Sequence, residues 1–206
     1  MRLKPLLFCA LLHASLAGNA FAGEKGMLED RNWPAYQRCS GCVALQYGWL
    51  ELKVPRHLVG KFFVPPGGDP FVILAPTENN LPNGLVDGPV IHLREYAKLQ
   101  ERYQKLGVLE KHGIQTPLAF YELLGQANLG DPVIDLARKV EGVANSMRYE
   151  KFSKGPFTAI RIQDIEPDLD RLYLFTPDPE NYYMVSGRLS PALFRQLMSH
   201  LKLAKF

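Results

Sequence analysis

The chain has 206 residues, with 24 lysines and arginines against 21 aspartates and glutamates, and a net charge of +3. A balance this close argues against the clustered basic face of a nucleic-acid-binding protein and against a polybasic protein held on an anionic membrane surface. With 47% hydrophobic residues, the length suffices for one domain with a proper core.

Residues 1–22 read as an export signal. Arg2 and Lys4 make a positive start, Leu6 to Ala17 an apolar stretch, and Ala20-Phe21-Ala22 a small-x-small cleavage site. The apolar stretch is shorter than the ~20 residues a spanning helix needs. Cys9 lies inside it, not behind a lipoprotein-type triplet at its end. The expected product is residues 23–206, one α+β domain in the periplasm, with secretion beyond the envelope as the alternative. No later stretch is apolar enough to span, so no membrane insertion is expected once the signal is removed.

Residues 23–38 are polar and aperiodic, an extended N-terminal arm with Trp33 and Tyr36 as its anchors. Residues 43–54 alternate, with Val43, Leu45, Tyr47 and Trp49, then Leu52 and Val54. This predicts one strand with a register change near Gly48. "KFFV" (61–64) and "FVILA" (71–75) flank "PPGGDP" and predict a hairpin. A long loop of turn formers follows at 76–89, carrying Asn80, Asn83 and Asp87; such loops are commonly functional or disordered. "VIHL" (90–93) is a short strand containing His92.

The period then becomes helical. Tyr96, Leu99, Tyr103 and Leu106 mark a first helix that Gly107 stops. Three later helices share one start signal, a capping side chain followed by proline: Thr116-Pro117, Asp131-Pro132 and Ser190-Pro191. Gly125 closes the first of these. The second is expected to run to about Ser146 with Val133, Leu136, Val140 and Val143 inward. The last turns Leu193, Phe194, Leu197 and Leu201 inward. Between them "MRYEKF", "FTAIRIQ", "RLYLFT" and "NYYMVSG" predict a four-stranded antiparallel meander. The fold class is therefore α+β: antiparallel sheets, a central run of three helices, a C-terminal meander packed by helices, and a C-terminal amphipathic helix.

Once Cys9 leaves with the signal, Cys39 and Cys42 remain, and an even count in an oxidising compartment favours a disulfide. A redox centre of this spacing sits at a helix N-terminus, which depresses the thiol pKa; the alternating residues after Cys42 make a poor helix. Zinc would need two more ligands, and Val43 stands where a haem motif needs histidine. The pair reads as a staple worth about 2 kcal/mol for its short loop.

No serine nucleophile elbow or phosphate loop is present, and no histidine pair has metal spacing. His92 is the histidine placed best to face a cleft. Asp164, Glu166, Asp168 and Asp170 alternate in one loop but miss the glycine and glutamate of a calcium hand. No catalytic residue, metal site or cofactor is assigned. Tyr182 and Tyr183 are expected on opposite faces of a strand, one buried and one outward. With Trp33, Tyr36, Asn80, Asn83, Asp87 and His92 they are the candidate binding residues. The expected function is that of an exported non-catalytic protein that binds another envelope or secreted protein, as an immunity or inhibitor protein or an envelope-complex accessory. The alternatives are an envelope thiol-redox or hydrolytic enzyme, or a small-ligand binder.

Overall fold

Alternating stretches pair into two sheets in the computed structural model, which describes residues 26–58, 60–66, 68–75, 88–126 and 130–204. The strands β1 (Leu28–Arg31), β2 (Cys42–Tyr47), β3 (Leu50–Pro55), β4 (Gly60–Phe63), β5 (Phe71–Leu74) and β6 (Val90–Glu95) come first. The helices α1 (Tyr96–Gln104), α2 (Val108–Lys111), α3 (Pro117–Leu124) and α4 (Pro132–Val140) follow. The chain continues through β7 (Arg148–Lys154), β8 (Phe157–Gln163), β9 (Arg171–Phe175), β10 (Asn181–Ser186), α5 (Pro191–Ser199) and β11 (Lys202–Leu203).

Eight strands form one mixed sheet in the order β1-β7-β8-β9-β10-β6-β5-β4; β11-β3-β2 form a smaller antiparallel one. The α+β class and the C-terminal meander β7–β10 are as the sequence predicts. Register pairs β6 with β10, Met184 opposite His92, and so joins the β4–β5 hairpin to the meander. Among the described residues no helix is long and apolar enough to cross a membrane.

The period-two pattern of the meander divides its side chains between two cores. Leu172, Leu174, Tyr183 and Val185 face the small sheet and α5, packing against Leu50, Leu52, Phe194 and Leu197. Tyr173, Phe175, Tyr182 and Ile160 face the other way, under α1–α4. The large sheet is thus the middle of three layers. The three cap-and-proline starts form as predicted. Thr116 Oγ1 accepts from Ala119 N at 3.1 Å, Asp131 Oδ1 from Val133 N at 3.0 Å, and Ser190 Oγ from Leu193 N at 3.1 Å.

Several expectations need correction. Residues 43–54 are not one strand: Gly48, with φ of 56°, and Trp49 turn the chain so that Tyr47 pairs with Leu50. A left-handed glycine suits the two-residue turn whose twist matches that of the strands. The sheets are not all antiparallel, because Leu28–Arg31 of the arm adds a parallel edge strand to β7. Helix α4 stops at Val140, since Gly142 takes a φ of 79° just beyond it. Its inward face is Ile134 and Ala137, continued by buried Glu141, so Leu136 and Val140 are left exposed. Tyr183 and Tyr182 are both buried, because each face of β10 is covered. The short α2 and β11 had no periodic signal of useful length.

Candidate functional site

Strand β4 ends the large sheet. Among the described residues it pairs only with β5, from Gly60↔Leu74 to Phe63↔Phe71. Its sequence, GKFF, includes Lys61, but three apolar side chains are exposed along it and just beyond: Phe62 is 58%, Phe63 39% and the following Val64 66% exposed. The opposite edge, β1, instead carries Glu29, Asp30 and Arg31, with Arg31 paired to Glu29 and Glu150. Charges of this kind blunt a sheet edge against added strands, and apolar side chains do not.

Aromatic rings back the edge on both faces. On the helix side Phe63 stacks on Phe71 with centroids 5.5 Å apart, and Phe71 leans on His92 at 5.5 Å. On the other side Phe62 meets Tyr47 edge-on at 6.1 Å, and Tyr47 meets Tyr183 at 5.9 Å. Tyr47 is fixed by donating to Pro70 O at 2.5 Å and accepting from Leu93 N at 3.2 Å. Burial, reinforced by Arg94, pushes the His92 imidazole below its usual pKa of 6.5, with Asp69 pulling the other way. The row therefore carries a neutral ring at pH 7. This geometry can seat an extended chain: the open backbone supplies ladder hydrogen bonds and the rings supply apolar contact on both faces.

Beyond His92 and Met184 the row reaches a crevice of about 100 Å³, lined in part by Arg94, Lys98, Arg102 and Glu141. Glu141 is buried. Its Oε1 accepts from Tyr103 Oη at 2.6 Å and Arg102 Nη1 at 3.2 Å, and its Oε2 from Tyr121 Oη at 3.1 Å and Tyr173 Oη at 3.4 Å. A carboxylate offers about four acceptor positions, and here four donors occupy them. Burial first, with the Glu141 charge among the further causes, drives the pKa of Tyr103, Tyr121 and Tyr173 far above the usual phenol value, so all three remain donors. This carboxylate ties α1, α3 and the end of α4 to β9. The sequence gives no local sign of it. Tyr103 reads as one position of a helical period, and nothing in the sequence around Glu141 marks it as buried.

Cys39 and Cys42 form a disulfide closing the turn before β2, where Arg56 N donates to Gly41 O at 3.0 Å. Neither cysteine heads a helix; Cys42 is the first residue of a strand.

The candidate binding residues do not gather in one place. Trp33 Nε1 donates to Met198 O at 3.1 Å, and the exposed Tyr36 ring stands edge-on to His200 at 5.0 Å, both at the end of α5. His92 lies in the aromatic row, and Tyr182 lines the Glu141 crevice. Tyr183 is on the opposite sheet face, accepting from Trp49 N at 2.8 Å. Asn80, Asn83 and Asp87 lie outside the described residues.

The acidic loop disperses its carboxylates. Asp164 Oδ1 accepts from Glu166 N, Asp168 pairs with Arg188 at 3.1 Å, and Asp170 turns inward, 3.7 Å from Arg161. Burial raises the Asp170 pKa, while the Asp164 N–H and the Arg161 charge oppose it. Among the described residues no three histidine, cysteine or acidic side chains are grouped to hold a metal ion. The chain matches no protein-family model, no curated protein and no solved structure.

Proposed function

We propose that this is an exported periplasmic binding protein without catalytic activity, which pairs an extended segment of another envelope or secreted protein with the open edge of β4. The observation that carries this reading is the contrast between the two ends of one sheet. The β1 edge is charged and the β4 edge exposes Phe62, Phe63 and Val64. An added strand satisfies backbone groups along β4 and covers apolar surface on both faces at once. The class of partner follows: a segment apolar at successive positions, rather than the alternating segment that a sheet with one solvated face would take. An inhibitor of an envelope enzyme or an accessory subunit of an envelope complex can work through such a contact. Export rests on the signal-like residues 1–22, and the Cys39–Cys42 bridge accords with an oxidising compartment.

The test is co-purification from the native envelope of the tagged protein, expressed from its full-length sequence, beside Phe62→Lys and Val64→Lys. Both positions are exposed, so stability should change by no more than about 0.5 kcal/mol. The expected result is one stoichiometric partner with the wild type and its loss in both variants. Equal recovery by wild type and variants, or no partner at all, would overturn the reading.

A further inference from the structure

A buried carboxylate needs donors, and serine hydroxyls or backbone N–H groups would satisfy it. The fold instead brings three phenols to Glu141, from α1, α3 and β9: Tyr103 at 2.6 Å, Tyr121 at 3.1 Å and Tyr173 at 3.4 Å. The Tyr121 and Tyr173 rings stack with centroids 4.1 Å apart, and the Tyr182 ring lies 6.2 Å from each. Phenols are among the few side chains that give up a single electron. Closely spaced rings pass that electron on, so an oxidant need not touch the phenol that finally loses it.

Whether a phenol can hold an oxidising equivalent depends on the fate of its proton. A phenol that has lost an electron is a strong acid, and in a dry core its proton goes to the group it already faces. Tyr47, Tyr96 and Tyr149 donate to the backbone carbonyls of Pro70, Ile114 and Tyr121, which are too weakly basic to take it. Tyr103 faces a carboxylate, through the shortest of the three phenol bonds to Glu141. Protonation there removes a buried negative charge. It strands no buried partner, because the Arg102 side chain is 58% exposed and keeps its water. Tyr103 itself is 2% exposed, which keeps a radical on its ring from coupling with one on another molecule.

We propose that Tyr103 and Glu141 form a redox site, separate from the β4 edge, which takes up one oxidising equivalent delivered by a small inorganic radical. Tyr103 loses one electron to that oxidant by way of the neighbouring rings. Its O–H bond breaks and the proton bonds to Glu141 Oε1. The products are a neutral tyrosyl radical, a neutral carboxyl group and the oxidant reduced by one electron. Return of an electron to the ring returns the proton to its oxygen.

The experiment is pulse radiolysis of the protein, expressed from its full-length sequence, with azide radical as the oxidant. Azide radical becomes azide ion as it takes an electron from exposed rings, Trp49 and Tyr36 among them. Absorbance follows the first radicals giving way to tyrosyl, and electron paramagnetic resonance of frozen samples identifies it. In the wild type a long-lived tyrosyl should form at a rate independent of protein concentration. It should form more slowly in heavy water, because a proton moves with the electron. Tyr103→Phe should lose this signal, and Glu141→Gln, which removes the base, should slow its formation about a hundredfold. Tyr36→Phe, at an exposed ring, should leave it unchanged. No long-lived tyrosyl in the wild type, its survival in Tyr103→Phe, its loss in Tyr36→Phe, or equal rates in light and heavy water would overturn the proposal. The wild-type and Tyr36→Phe measurements leave the core untouched, so they decide the matter even where a core variant fails to fold.

Discussion

The Tyr103 phenol donates to Glu141 at 2.6 Å across 38 residues of sequence, with both side chains buried. A hydrogen bond to a buried charge contributes about 2 kcal/mol, so Tyr103→Phe should lower stability by about that amount in urea unfolding. Glu141→Ala strands three phenols together and should cost about 3 kcal/mol or more. The two losses should not add, since both remove the same contact. Losses below about 0.5 kcal/mol in both would mean the network does not hold the helices.

The same phenols set an alkaline limit. Their folded pKa values lie above the unfolded value of 10.0, raised first by burial and further by Glu141. The protonated form is favoured by the fold, so their contribution is complete below pH 10 and is lost as the pH rises beyond it. Absorbance titration should show tyrosines that ionise only together with the loss of far-ultraviolet dichroism. Smooth ionisation of all nine tyrosines with the fold intact would contradict this.

Gly48 links the β2–β3 turn to the first core. A Cβ there would lie 2.7 Å from Tyr183 Oη, the atom that accepts from Trp49 N, and its φ of 56° is left-handed. Gly48→Ala therefore meets backbone strain and displaces a buried hydroxyl. The expected cost is about 2 kcal/mol or more, measured by chemical denaturation. A neutral result would show that the turn can flip without consequence.

What could be read in the sequence was local. Thr116, Asp131 and Ser190 each cap a helix within three residues of themselves, and proline beside each sharpens the signal. The meander was legible because four alternating runs are separated by turn residues. The β4 edge was not: "KFFV" names a strand but not its place in the strand order, which depends on the long-range pairing of β6 with β10. Glu141 was missed for a related reason. Apolar spacing put Leu136 and Val140 inward, yet an acid with four distant donors occupies the buried position. A period counts hydrophobicity, and a buried charged network looks like its opposite.

The disulfide is a test of how far the turn depends on its staple. Replacing Cys39 and Cys42 together with alanine should lower stability by about 2 kcal/mol, the entropy of a four-residue loop. Partner capture at β4 should be unchanged, because the bridge closes the turn before β2, at the opposite end of that strand from Tyr47. Denaturant unfolding and the co-purification above measure the two effects. Loss of a thiol-exchange activity in the double variant would instead give the cysteines a redox role.

If β4 binds a partner as proposed, His92 should couple that edge to pH. Burial, then the Arg94 charge, lowers its folded pKa below 6.5. The unfolded chain therefore takes up the proton first as pH falls, and the stability that neutral His92 contributes is complete above pH 6.5 and is lost on acidification. Protonation also places a charge in the row that Phe71 and Phe63 continue to the edge. Partner capture should be flat between about pH 7 and 8 and should fall as the pH drops below the usual histidine range. His92→Phe removes the proton and keeps a ring, so its capture and thermal stability should depend less on pH between about 5 and 7. An unchanged acid dependence in this variant would show that another group governs the edge.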